Sequence, residues 1–384
     1  MTNPYDNPLH PLAAYLNIKK PVSKEELNKQ IKAARGPTTY PHPERLQSNI
    51  PFIAGTRLQE LLDSRSSYIC SWLKPKIERL GFKTDVLAID FAIVNDETSM
   101  GGWNIRLVEF QAFASFLATG FFLHQGLLCL WPELGGLTPW DSVPNGNSWE
   151  DAIRSWMNPF KNAVVVEYDL YNQKSIFDIA AIAELLRAPL VEACALTLAN
   201  DKKVMYSNKT IHHICNRVVM GDLPDSRLFN QIAKEALVTW HSHPQGYYAI
   251  NKGLMPELAE AGFERCVYGD DWTSLGVPPG DLVAKQILGY AGNSVMLGPS
   301  LKDLQHLPRP NEWVVQPRFV PKVVSTAKDG APVCAEIRMM INLENLDKPW
   351  TAMQVVRAYR DQTASASGMI GRHGEGFSVL YRPF

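Results

Sequence analysis

Three groups of residues in this chain are of the type and spacing that act on charged substrates. Residues 281–300 read DLVAKQILGYAGNSVMLGPS, a strand carrying Lys285, a turn with Gly289 and Gly292, and a second strand. A lysine at a strand end can neutralise phosphate oxygens, and glycines let backbone N–H groups approach those oxygens closely. The motif G-x-x-x-x-G-K-[ST] is absent, so this is not a Walker-type loop. Asp90 in AIDFAIV and Glu109 with Gln111 in RLVEFQAF form the second group. The period of two along a strand puts Glu109 and Gln111 on one face, and both offer the hard oxygen that Mg²⁺ takes. Glu109 lies between Leu107-Val108 and Phe110, and a buried carboxylate needs a partner or a metal. Arg338 in CAEIRMM and Arg357 in VVRAYRD are the third group, guanidinium forks suited to carboxylate or phosphate. Each group alone has a plainer reading, as a glycine turn or as solvated surface charge.

The elements that must position them read as follows. Ser23 opens a helix running to about Ala34, and residues 45–80 look helical up to Gly81. Residues 82–95 and 104–110 are strands joined by the loop DETSMGG. Residues 114–131 (ASFLATGFFLHQGLLCLW) lack Asp, Glu, Lys and Arg. That stretch is short for a membrane span and carries His124 and Gln125 at its middle, so it reads as a buried core helix. Next, AVVVEYD (163–169) is a continuous apolar run, as in a parallel strand, followed by an amphipathic helix at 175–187 and a strand at 189–196. This β-α-β pattern argues for an α/β unit from about 160 to 245. Asn216-Arg217 ends a strand-like run within it, where it can line a substrate cleft. Beyond 245 come a short helix at 254–261 and strands at 281–285, 294–297, 312–315, 333–342 and 354–359, mostly antiparallel sheet.

Composition excludes several classes. The 384 residues carry 38 basic and 39 acidic side chains, so the chain as a whole has no basic nucleic-acid footprint. With 46% hydrophobic residues it can bury a sizeable core and is not a disordered or low-complexity protein. Its 6 cysteines form no C-x-x-C, and the N-terminus lacks the basic and apolar regions of a signal peptide. Reduced thiols and a cytoplasmic location are expected. His241-Ser242-His243 is weak as a metal pair and is expected to serve the loop before Pro244. No G-x-S-x-G nucleophile elbow occurs.

The order of lysine strand, glycine-rich turn, VVQPRF connector (314–319) and EIRMM strand (336–340) resembles the ATP-grasp superfamily. Its metal pattern is found near the N-terminus instead of the C-terminus. The arrangement is therefore similar to circularly permuted members such as the glutathionylspermidine synthetase group. The resemblance implies an α/β fold, with two antiparallel-sheet lobes clamping ATP and an inserted α/β substrate domain. It implies a helical segment at 1–81, a lobe with the metal strands at 82–160, the inserted domain at 161–245 and nucleotide-binding lobes at 246–384. It assigns phosphate contacts to Lys252 and Lys285, the lid to Gly289 and Gly292, adenine pairing to Gln316, Arg318 and Phe319, and Mg²⁺ to Asp90, Glu109 and Gln111. Arg338 and Arg357 resemble the arginines that hold an acceptor carboxylate or acyl phosphate. Gln111 stands where the pattern has Asn, and Ala88 where related members carry Arg. The implied activity is ATP-dependent ligation of a small-molecule or peptide carboxylate to an amine, without nucleic-acid or membrane partners. The alternatives are a phosphotransferase on the same scaffold and a nucleotide-binding protein without catalysis.

Overall fold

The structure is a computed structural model that describes residues 7–18, 22–36, 51–113, 115–141, 143, 148–156, 162–173, 175–289, 295–326, 330–360 and 374–383. Its largest element joins both ends of the chain in one sheet. The spatial order is Leu9–Pro11, Phe52–Ala54, Gly374–Tyr381, Trp350–Tyr359, Pro332–Asn342, Val86–Asn95 and Trp103–Ala112. Val323–Thr326 pairs with the start of Pro332–Asn342. All these neighbours are antiparallel except Phe52–Ala54 with Gly374–Tyr381.

Strand periodicity divides the sheet's side chains between two faces. On one face Leu87, Ile89, Phe91, Ile337, Met339 and Val356 pack with Leu58, Leu62, Ile69 and Leu73 of the helix Thr56–Glu78. On the other, Ala88, Met340, Met353 and Val355 pack with Leu117, Ala118 and Phe121 of the helix Leu117–Leu130. That helix approaches closely because Gly120 faces Met353, where an added Cβ would lie 2.9 Å from the sulfur. It is the expected core helix, and among the described residues no helix is long and apolar enough to cross a membrane. The helix Lys24–Arg35 packs against it and begins, as expected, at Ser23, which forms a capping box with Glu26.

The helix expected from residue 45 starts only at Thr56. Residues 45–50 lie outside the described residues, and Phe52–Ala54 is a strand. Those three apolar side chains are all buried in the sheet, so strand pairing there outweighs local helical pattern.

Residues 163–241 build a second, parallel sheet in the order Thr239–His241, His213–Asn216, Ala163–Glu167, Leu190–Glu192. The helix Ile176–Leu186 makes the expected β-α-β crossover. The strand expected at 189–196 is shorter. After Leu190–Glu192 the chain turns into a three-stranded meander of Thr197–Leu198, Val204–Tyr206 and Lys209–Ile211. A small antiparallel sheet completes the fold, ordered Val267–Tyr268, Trp313–Pro317, Leu282–Gln286, Val295–Leu297. The strands beyond 265 are thus antiparallel as expected, but they are shared between this sheet and the large one.

Candidate active site

The face of the large sheet that packs on the helix Leu117–Leu130 becomes charged farther along its strands. Asp90 lies opposite Glu109 on one neighbouring strand and opposite Arg338 on the other. Glu336 lies opposite Arg357. Directly opposed residues of antiparallel strands share a face, so these five side chains converge. Asp90 is 2% exposed, Glu336 2%, Arg357 3% and Arg338 6%. Arg338 holds Asp90 bidentately, Nε to Oδ1 and Nη2 to Oδ2, both at 2.7 Å. Arg357 Nη2 donates to Asp90 Oδ2 and to Glu336 Oε2, each at 2.8 Å. Burial alone would raise the Asp90 carboxyl, but the two guanidinium groups outweigh it and hold the group down at about 2. The same carboxylates push Arg338 up despite its burial.

A β-bulge sets the next contacts. Asp90 pairs with Glu109, yet Phe91 pairs with Leu107, so Val108 is the extra residue. Bulges re-aim groups near functional sites, and here the Val108 carbonyl accepts Lys285 Nζ at 2.6 Å. Lys285, expected at a strand end, lies one residue inside the strand Leu282–Gln286 and is buried. Its burial lowers its affinity for a proton, an effect Glu109 partly offsets.

Lys252 reaches the same place from a tight turn, Lys252–Leu254. The Asn251 side chain accepts the Gly253 N–H and donates to the carbonyls of Tyr247 and Tyr248, fixing that turn. The Ala112 N–H donates to Ile250 at 2.9 Å, tying the turn to the Glu109 strand. Lys252 Nζ lies 3.4 Å from Glu109 Oε2 and donates to the Gly289 carbonyl at 2.6 Å. Burial would raise the Glu109 carboxyl, but Lys252 and Lys285 outweigh it and hold it low. Four cations, Lys252, Lys285, Arg338 and Arg357, thus share a cluster with three carboxylates, Asp90, Glu109 and Glu336. The surplus of positive charge suits an anion such as phosphate or carboxylate.

The small antiparallel sheet presents Val283, Lys285, Val314 and Gln316 on one face, while Ala284, Leu282, Trp313 and Val315 pack on the other with Leu275, Leu304 and Leu307. Gln316 is 3% exposed, and its Oε1 has no hydrogen-bond partner among the described residues. Arg318 and Phe319 are half-buried on the segment linking this sheet to the large one, where Val320 accepts the Asn95 N–H and Lys322 donates to Ile93. Gly289 contributes its carbonyl. Gly292 lies outside the described residues.

The residues expected to hold Mg²⁺ do not form an open set as folded. Gln111 is half-buried opposite Ala88, Glu109 faces Lys252, and both Asp90 oxygens accept arginine N–H groups. Among the described residues no group of three His, Cys, Asp or Glu side chains is arranged to hold a metal ion. The departure lies in Asp90, whose neighbours Arg338 and Arg357 are far away in sequence.

A second polar site lies where the parallel sheet changes direction. From the central strand Ala163–Glu167 the chain passes first to Leu190–Glu192 on one side and later to His213–Asn216 on the other. Open α/β sheets bind ligands in the crevice outside the carboxyl ends of two such strands. Glu167 ends one of them, buried, and burial pushes its carboxyl up to about 8. Arg217 follows the other, with its guanidinium 5.9 Å from the Phe113 ring. The Glu192 carboxylate accepts the Asp169 and Leu170 N–H groups and so fixes the rim that carries exposed Tyr171. Asn216 is turned inward to Val218 and Ser242 and is structural. His241-Ser242-His243 serves the loop: Ser242 N–H donates to Asp85, and His243 contacts Ala233 and Gln245. Sequence reasoning missed Glu167 and Glu336. The acid ending the run VVVE and the alternation of EIR were the available signals.

No family model matches the chain, and no curated protein matches it in sequence. Solved structures do. A protein described as a gamma-glutamylcysteine synthetase from Methylobacillus flagellatus KT aligns over 84% of this chain and 86% of its own, at 12% identity and a TM-score of 0.45, too loose a likeness to argue from. A glutathione synthetase like-effector from Globodera pallida, in its apo form, aligns over 96% of this chain and 99% of its own, at 12% identity and a TM-score of 0.53. From end to end, this mixed α/β chain of several sheets is therefore similar in fold to a glutathione synthetase like-effector.

Proposed function

We propose that the chain is an ATP-dependent carboxylate–amine ligase on a circularly permuted ATP-grasp scaffold. The observation that carries the reading is the convergence of Lys252, Lys285, Arg338 and Arg357 between the large sheet and the small one. Lys252 and Lys285 take the β- and γ-phosphates. The apolar face of Val283 and Val314 takes the adenine, with Gln316 Oε1 offering a buried acceptor. Segment 161–245 is the substrate domain, and its crevice at Glu167 and Arg217 seats the second reactant, a small-molecule or peptide substrate. The fold likeness to a glutathione synthetase like-effector supports this reading.

In the proposed reaction a substrate carboxylate oxygen attacks the γ-phosphorus and ADP leaves with the electron pair of the broken P–O bond. The resulting acyl phosphate sits against Arg338 and Arg357. An amine nitrogen then attacks the acyl carbon, the C–O bond breaks toward phosphate, and the amine proton leaves with phosphate or solvent. This chain's part is to position the reactants, exclude water and neutralise charge with fixed cations, which act strongly in a dry cleft. Mg²⁺ would add neutralisation on the phosphates, but Asp90, whose two oxygens already accept arginine N–H groups, offers it no ligand as folded.

A second reading, nucleotide binding without turnover, is favoured by Ala88 and Gln111, the two departures from the pattern. The experiment is a screen of amino-acid and polyamine pairs for release of ADP and phosphate. Release that requires both a carboxylate and an amine supports the ligase. ATP binding with no stimulated release from any pair supports the second reading.

A further inference from the structure

We propose that Asp90 is a positioning residue, holding Arg338 and Arg357 as a paired anion fork, and is not a metal ligand. The inference rests on the ligase reading above and departs from the metal role that the resemblance gives this residue.

Three charge-assisted hydrogen bonds reach the Asp90 carboxylate, two of them on Oδ2. A carboxylate oxygen has about two acceptor sites, so Oδ2 is filled. A cation binding there would displace both arginines inside a group only 2% exposed, and would then face their two positive charges. Charged bidentate pairs of this geometry are strong, and breaking a buried one leaves charge uncompensated. Glu336 repeats the device on Arg357 from the next position on its face. Meanwhile the arginines keep donors to spare. Arg338 donates to Asp90 through Nε and Nη2, and Arg357 Nε is buried without an acceptor among the described residues. A buried guanidinium with an idle donor calls for an anionic oxygen. The Phe116 ring, 5.8 Å from the Arg338 guanidinium, covers one side of the fork. The anion so recognised is the transferred phosphate, or the carboxylate that receives it.

The test uses the full chain and two probes. One is the Mn²⁺ concentration that half-saturates ATP binding; the other is the affinity of the ADP-bound protein for inorganic phosphate. Asp90→Asn should weaken phosphate binding by about tenfold or more while moving the Mn²⁺ midpoint by less than about twofold. Arg338→Lys and Arg357→Lys leave the Asp90 carboxylate in place, so they remain informative if Asp90→Asn fails to fold. Both should reproduce the phosphate defect, and Asp90→Asn combined with Arg338→Lys should be no worse than either alone, because the two act as one unit. A tenfold rise in the Mn²⁺ midpoint for Asp90→Asn with phosphate binding intact would overturn the proposal and make Asp90 a ligand. Phosphate binding unchanged in both lysine variants would overturn it as well. Wild-type protein that binds neither ATP nor phosphate is a different failure, that of the ligase reading itself.

Discussion

Replacing Lys285 with Met separates the demands of folding from those of binding. The substitution keeps the apolar stem and removes the ammonium. In the folded protein Lys285 is 5% exposed and, among the described residues, makes one hydrogen bond, to the Val108 carbonyl. Losing that bond leaves the half-buried Val108 carbonyl short of a partner, at a cost of up to about 1–3 kcal/mol. Against this, the cost of burying a cation disappears, and that burial is the dominant effect on Lys285. Removing a buried charge is worth a comparable amount. Glu109 keeps Lys252 at 3.4 Å, so it is not stranded. The two effects nearly cancel, and the melting temperature should move by only about 2–4 °C at most, the shift that 1 kcal/mol gives in a domain of about 150–250 residues. Nucleotide binding has no such compensation. A charged hydrogen bond to phosphate is worth about 1.5–3 kcal/mol, hence a loss of roughly 10- to 150-fold in ATP affinity. Circular dichroism melts and calorimetric ATP titrations measure the two quantities on the same preparations. A variant that melts like the parent and binds ATP within twofold of it would refute the phosphate role of Lys285.

Three other outcomes follow from the same structure. The Glu167 carboxyl, pushed up to about 8, keeps its proton in the fold above the pH at which the unfolded chain loses it. Its contribution to stability is full below about 4.5 and is lost as pH rises through 8. Glu167→Gln should flatten the decline of melting temperature between pH 5 and 9, and an unchanged profile would contradict that burial. Gly126→Ala improves helix propensity by about 1 kcal/mol, but its Cβ would lie 2.7 Å from Ile31 Cγ1 and 3.3 Å from the Ile31 backbone nitrogen. Overpacking of about 1–3 kcal/mol should win, giving a net loss in urea denaturation; net stabilisation would show that the helix Lys24–Arg35 yields freely. Ser23→Ala removes the Oγ that accepts the Glu26 N–H, while the Ser23 backbone N–H that donates to Glu26 stays; it should cost about 1 kcal/mol, read from the same denaturation curves.

What the sequence made legible was local. Alternation in AIDFAIV and RLVEFQAF placed Asp90, Glu109 and Gln111 on one sheet face, and Ser23 as N-cap marked a helix start that the structure keeps. What it hid depends on partners brought in from afar. Asp90 and Arg338 meet across 248 positions, so nothing near Asp90 announces that its carboxylate is taken. The bulge at Val108 is a property of pairing register, which depends on the neighbouring strand as much as on the residue itself. Glu167 reads as the polar end of an apolar strand, and only folding brings Arg217, Asp222 and Glu192 around it. The strands Leu9–Pro11 and Phe52–Ala54 have three residues each, too few to show a period, and their pairing into the large sheet decides their state.

The central claim is that two lysines and two arginines form a seat for the phosphates of ATP. Calorimetric titration of ATP into the intact wild-type chain, with and without Mg²⁺, tests it most directly. The account predicts saturable binding at one site per chain, weakening as salt is raised because fixed cations carry it. No binding in either condition would contradict it and leave the likeness to a glutathione synthetase like-effector as one of fold alone.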